Sequence, residues 1–164
     1  MIVLGCEGKV ELILIENLIK NNHLKYPKED ILDRRPIHFR QPRTIAPIIN
    51  ALPSDEKIIF CRIGDTQKED YDISCFKSRI DNIEVIKICT KPEIEILIII
   101  NEGLMDEYLK TQSKIRPKQF VKNKFPNLDI GDYINNNDLY TAIKEYKRIK
   151  KHKSDEHYLL DLLK

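Results

Sequence analysis

Val3-Leu4-Gly5-Cys6-Glu7-Gly8-Lys9-Val10-Glu11 and Ile58-Ile59-Phe60-Cys61-Arg62-Ile63-Gly64-Asp65-Thr66 each read as a short apolar strand ending on an acidic residue. In an open α/β sheet both carboxyl ends open onto one crevice, the usual place for a ligand. Two carboxylates delivered there point to a hard cation, and a hard cation points to phosphate chemistry.

Working outward, Val10, Ile13, Leu14, Asn17 and Leu18 share one helical face, so residues 9–22 predict an amphipathic helix. Pro36 to Arg40 predicts a second short strand. Ile45 to Leu52 predicts a helix whose Pro47 belongs in the first turn, where its missing N–H costs nothing. Lys57 to Ile63 is the third strand. An Asp-, Glu- and Lys-rich loop (Thr66 to Asp72) leads to a short helix near Ile73 to Ile80, and Ile83 to Cys89 is the fourth strand. Thr90-Lys91-Pro92-Glu93 carries a capping-box pattern, which predicts a helix over Glu93 to Lys110 starting at the carboxyl edge of the sheet. The order βαβαβαβ predicts an α/β fold: a mainly parallel four-stranded sheet flanked by helices.

Residues 111–164 read as a lysine-rich helical extension. Pro117 to Lys124 is one helix, Asp138 caps another over Leu139 to Lys151, and Ser154 caps a terminal helix ending in Leu159-Leu160-Asp161-Leu162-Leu163. The last two predict a helical hairpin docked on the sheet. The expected organisation is an α/β core over 1–110 and a packed extension over 111–164, a single domain overall.

The chain has 164 residues, 41% apolar and 33% charged, with a net charge of +2. A core of ordinary size is possible at this length, and any basic surface has to be local. Cys6, Cys61, Cys75 and Cys89 show no CxxC spacing, which argues against a zinc ribbon or a thioredoxin-type site and for reduced structural thiols. The first strand begins at Met1 without a basic, cleavable leader, and the apolar run Ile94 to Ile100 is too short for a bilayer. A cytoplasmic protein with no membrane contact is expected. No Walker A loop, GxGxxG fingerprint or GxSxG elbow is present.

The candidate metal ligands are Glu7 after the first strand, Asp65 after the third, Glu95 in the first turn after the fourth, and Glu11 one helical turn beyond Glu7. Such carboxylates repel one another until a Mg²⁺ or Mn²⁺ ion joins them. Each also has a structural reading. Glu7 and Glu95 suit helix N-termini, where a carboxylate gains about 0.3–1 kcal/mol; Asp65 suits a turn; Glu93 suits a cap with Thr90. Two basic groups stand out. Lys144, Lys147 and Lys151 share a helical face, which suits a phosphate backbone or simply solvent. Arg34, Arg35, His38, Arg40 and Arg43 surround the second strand, with Arg40 and Arg43 nearest the crevice. His157 opens the last helix and is read as incidental.

Glu7-Gly8-Lys9-Val10-Glu11, with an acidic motif after the third strand, resembles a Toprim domain, the metal-binding core of topoisomerases, primases and OLD-type nucleases. Thr90-Lys91-Pro92-Glu93-Ile94-Glu95 resembles the later S-N-P-x-F-E motif of the RloB-like group, found beside restriction and defence genes. Two departures are plain: Ile63 stands where the family's D-x-D motif has its first aspartate, and Val10 where the first motif has threonine. The resemblance implies a Toprim- or Rossmann-like fold and a Mg²⁺- or Mn²⁺-dependent nuclease acting on nucleic acid in bacterial or phage defence, with a protein partner such as a defence-system ATPase. In that reading Glu7 is catalytic and shares the metal with Asp65, Glu11 and Glu95, while Arg40, Arg43, Lys144, Lys147 and Lys151 contact nucleic acid. The alternative is a catalytically degenerate scaffold that binds nucleic acid or a protein.

Overall fold

The computed structural model describes residues 1–39, 41–65, 73–90, 94–149 and 157–164, with the backbone alone for 77–80. Five parallel strands form one sheet: β1 (Ile2–Cys6), β2 (Ile37–His38), β3 (Ile58–Gly64), β4 (Ile83–Cys89) and β5 (His157–Tyr158), in the order β2-β1-β3-β4-β5. The chain runs outward from β1 to β2 and then returns to β3. The topological switch point therefore lies between β1 and β3, the two strands that deliver Glu7 and Asp65.

Strand parity divides the core. Ile2, Leu4, Cys6, Cys61, Ile63 and Ile88 point to one face. There they meet α1 (Lys9–Lys20), α3 (Glu95–Asn101), α5 (Pro117–Lys124), α6 (Ile130–Asn136) and α7 (Tyr140–Ile149). Val3, Ile58 and Phe60 point to the other face, toward α2 (Pro42–Ala51) and a 3₁₀ helix at Ser74–Asn82. Phe60 sits between the rings of Phe39 and Phe76, with centroids 5.3 and 6.2 Å away. Asn17 is the buried polar residue of α1. Its amide donates to the Ile134 carbonyl (2.8 Å) and its oxygen accepts from Asn21 (3.0 Å), which ties α1 to α6 with no polar atom of that side chain stranded.

Three expectations are corrected. The sheet has five strands rather than four. The described part of the expected terminal helix is β5 followed by a 3₁₀ turn at Leu159–Leu162, because His157 and Tyr158 pair with Ile88 and Cys89. A two-residue strand is held by its neighbour, and the leucine-rich tail carries no local sign of it. The expected Ser154 cap lies outside the described residues. The helix expected over 93–110 is two helices, α3 and α4 (Met105–Thr111), broken where Gly103 takes φ 68°. In addition, α2 begins at Pro42 rather than Ile45, which places Pro47 past the first turn and removes one backbone hydrogen bond from an exposed side of the helix.

Candidate functional site: an acidic cleft at the switch point

Three strand exits are stitched at one level of the sheet. The Glu7 N–H donates to the Ile63 carbonyl (3.0 Å), and the Thr90 N–H donates to the Gly64 carbonyl (2.9 Å). Glu7, Asp65 and Thr90 therefore leave the carboxyl edge side by side. Beyond them lies an open cleft of about 380 Å³. Among the described residues its polar lining is Glu11, Asp65, Thr90, Glu95 and Lys118, over aliphatic walls from Val10, Ile94 and Ile130.

Each carboxylate reaches the cleft for a local reason. Glu11 is the third residue of α1, and its side chain folds back over the N-cap residue Gly8. A Cβ on Gly8 would stand 2.1 Å from Glu11 Oε2, so only glycine allows that position. Glu11 Oε1 also lies 3.5 Å from Thr90 Oγ1, a long contact from a threonine that is 5% exposed. Glu95 opens α3 and is 9% exposed, which is unusual burial for a glutamate. Asp65 directly follows β3 and is exposed. Glu93, the expected capping partner of Thr90, lies outside the described residues. The N-cap position of α3 is Ile94, with no side-chain cap.

Glu7 is turned away from this cleft. Its Oε1 accepts from Arg62 Nε at 2.5 Å, and the two side chains are 18% and 8% exposed. Arg62 and Gly64 alternate with Cys61 and Ile63, so they face the α2 side of the sheet. The Glu7 carboxylate lies over Gly64, where a Cβ would come within 2.3 Å of Oε2. The four expected ligands thus fall into two groups: Glu11, Asp65 and Glu95 line the cleft on the α1–α3 side, while Glu7 is paired across the sheet edge. Among the described residues no group of three or more His, Cys, Asp or Glu is close enough to hold a metal ion directly.

The expected nucleic-acid contacts separate as well. Arg40 and Lys151 lie outside the described residues. Arg43 is exposed in the first turn of α2, on the Glu7 side. Lys144 is engaged elsewhere: its Nζ donates to the Tyr140 hydroxyl and sits 4.2 Å from that ring's centroid. Tyr140 stacks on His23, beyond the last turn of α1, so Lys144 belongs to the end of that helix remote from the cleft. Lys147 is exposed on α7.

Two residues of the site escape the strand-end reading. Arg62 is the one charged residue inside an otherwise apolar strand, and that anomaly was its signal. Lys118 belongs to a segment from Tyr108 to Leu128 that carries six cations and no carboxylate. The cysteines are chemically quiet: Cys6 and Cys61 are buried, and burial pushes both thiols up, Cys61 to about 11.

Comparison with protein families, with curated proteins and with solved structures finds no match to this chain. Among the described residues no helix is long and apolar enough to cross a membrane.

Proposed function

We propose that this chain is a Toprim-like, divalent-cation-dependent protein that processes nucleic-acid phosphodiesters, in the cytoplasm and in the service of bacterial or phage defence. The defence setting and a defence-system ATPase as partner rest on the sequence resemblance. The chemistry rests on one observation: Glu11, Asp65 and Glu95 line a single cleft at the switch point of a parallel sheet. That donor set is all oxygen, as a hard cation requires. It is too dispersed to cage an ion, which suits Mg²⁺, an ion that keeps several waters and binds through one or two carboxylates.

A Mg²⁺ or Mn²⁺ ion held there would polarise a phosphodiester oxygen and stabilise the leaving oxygen. Asp65, at the strand exit and exposed, is the primary ligand. Glu11 and Glu95 hold its waters, with Glu11 folded into the space that Gly8 leaves open. Lys118 places a positive charge in the same cleft, where it offsets charge developing on the phosphoryl group. The catalytic role of Glu7 rests on the sequence resemblance: its carboxylate is held by Arg62 outside the cleft lining and has to leave that pair to exchange a proton there, while Arg43 contacts the strand on that side.

The Arg62–Glu7 pair also favours a second reading. A guanidinium already gives Glu7 the counter-charge that a cation would give it, and Ile63 replaces the family's first aspartate. On that reading the scaffold binds nucleic acid or a protein without cutting. Calorimetry with Mg²⁺ and Mn²⁺ on the wild type, Asp65→Ala and Glu7→Gln, followed by cleavage assays on DNA and RNA, separates the two. The catalytic reading expects metal binding that Asp65→Ala removes, and turnover that Glu7→Gln abolishes in protein that is still folded at the assay temperature. No heat at millimolar metal would overturn it in favour of the binding scaffold.

A further inference from the structure

Three polar or basic clusters lie apart from the cleft carboxylates: the His23–Asp138–Tyr140 group, the arginines around β2, and the acid-free segment 108–128. The first is internally satisfied, with His23 Nε2 2.8 Å from Asp138 Oδ2 and the Tyr140 hydroxyl donating to the Lys164 carbonyl at 3.2 Å. The second includes Arg40, outside the described residues. The third reaches the cleft.

We infer that the nucleic-acid backbone is carried by the α4–α5 segment, with Lys114, Lys118 and Lys122 as the phosphate contacts, rather than by α7. This assignment deepens the proposed function and rests on it for the identity of the partner. The chain as a whole has 28 cations against 26 carboxylates, so six cations without one acid between Tyr108 and Leu128 make the remainder net acidic. This segment is therefore one of two concentrations of positive charge; the other, residues 144–153, holds six cations and one carboxylate. Lys118 and Lys122 are four residues apart on α5 and so share a face, and both are exposed. Lys118 lines the cleft beside Glu11, Asp65 and Glu95. Lys114, also exposed, lies four residues before Lys118 in the turn that precedes the helix. The remaining α5 cation is excluded from this set: Lys124 reaches Glu107 and lies 5.9 Å from the Phe120 centroid. The buried side of α5, Phe120 and Val121, anchors it to the core, with Phe120 packed edge-on against Tyr108 at 5.3 Å.

A set of cations with its middle member, Lys118, in an acidic cleft fits a polyanion whose scissile phosphate enters the cleft and whose neighbouring phosphates meet the lysines before and after it in the chain. A free mononucleotide would use Lys118 alone. The α7 cations lie apart from the cleft: Lys144 is engaged with Tyr140 beyond the far end of α1, Arg148 pairs with Glu145 at 3.1 Å, and Lys147, though exposed, is not in the cleft lining.

The test is fluorescence anisotropy in EDTA, which separates binding from cleavage. The probes are fluorescein-labelled single-stranded DNA, duplex DNA and single-stranded RNA of one length, titrated across roughly 50 to 200 mM salt. Three proteins are compared: the wild type, K114Q/K118Q/K122Q, and K144Q/K147Q, each checked for an unchanged melting temperature. The expected result is wild-type binding with a steep salt slope. The α5 triple should lose affinity by about tenfold or more at low salt, and on duplex DNA its slope should be shallower by about 0.9 for each phosphate it no longer neutralises. The α7 double should bind as the wild type does. Should the α7 double lose binding while the α5 triple retains it, the surface assignment is overturned and the nucleic-acid reading stands. Should the wild type bind none of the probes at the lowest salt, both fall together. Preference among the three probes identifies the polymer, and a reversal variant, K118E/K122E, must bind more weakly than the neutral one if charge is the cause.

Discussion

At its first turn α1 presents Glu11 to the cleft, folded over Gly8 with Asp65, Glu95 and Lys118 around it. About 18 Å along the same helix, the turn after its last residue is sewn to the chain's own C-terminus. The Lys25 N–H donates to the Leu162 carbonyl (2.8 Å), the Lys164 N–H to the His23 carbonyl (3.0 Å), and Lys164 Nζ to Asn22 Oδ1 (2.8 Å). His23 pairs with Asp138 and stacks on Tyr140 with ring centroids 4.3 Å apart. Both ends are rich in ionisable groups. At the far end those groups satisfy one another, and Leu162 and Leu163 are buried beneath them. At the near end the carboxylates line open volume at a position set by backbone geometry. Polar side chains that pair among themselves hold a fold together, and those gathered around a void are placed for a ligand.

The far end should break first and hardest. Leu162→Ala, at a fully buried position, should cost about 3–4 kcal/mol in chemical denaturation and leave metal binding per folded molecule unchanged. A cost below about 1 kcal/mol would mean the C-terminal clasp is frayed and the contrast overdrawn. Next comes Arg62→Met, the one site where the near end imitates the far. Removing the partner of a largely buried carboxylate should cost about 2–3 kcal/mol, less than a fully buried pair because Glu7 keeps 18% exposure. Combining it with Glu7→Gln should recover part of that loss. Strict additivity in the double-mutant cycle would show that the pair contributes nothing as a pair.

How much of this was legible in sequence depended on whether the cause was local. Helix α5 came out of residue pattern alone at its observed bounds of Pro117–Lys124, as did β4 at Ile83–Cys89, because propensity and periodicity act over neighbours. Strand β5 did not: His157-Tyr158 is two residues long and exists only because Ile88 and Cys89 offer an edge. The helix expected over Glu93 to Lys110 spans Gly103, whose left-handed φ of 68° depends on the backbone there rather than on the apolar pattern to either side. In the site, Asp65, Glu95 and Glu11 were readable as acids at strand exits and helix starts. That Glu7 would turn to the α2 side was not, because it depends on Arg62 crossing from the next strand and on Gly64 lacking a Cβ. Lys118 lies more than 50 residues from Asp65 in the chain, and only the packing of α5 against α3 brings it to the cleft.

Smaller effects separate the two ends more finely. Partial burial alone would push the Asp138 carboxyl up, but the Tyr140 amide and His23 outweigh it and hold the group below its ordinary value. A depressed folded pKa contributes stability above the unfolded value, and that contribution is lost as pH falls through the folded one. Asp138→Asn should therefore cost about 0.5 kcal/mol at neutral pH, a small figure because the carboxylate is 53% exposed, and the gap should close below roughly pH 4. A gap independent of pH would mean that the hydrogen bond to the Tyr140 amide, which asparagine keeps, carries no charge component. The smallest effect is expected from the cleft carboxylates themselves. Glu11→Gln and Glu95→Gln should change stability by less than about 0.5 kcal/mol, since each removes a charge from a cleft it shares with other acids, and glutamine at position 11 keeps an oxygen for the long contact with Thr90. Their effect should fall on Mn²⁺ affinity. A stability loss above about 1 kcal/mol with metal binding intact would move Glu95 into the structural class, and the cleft would then resemble the far end of α1 after all.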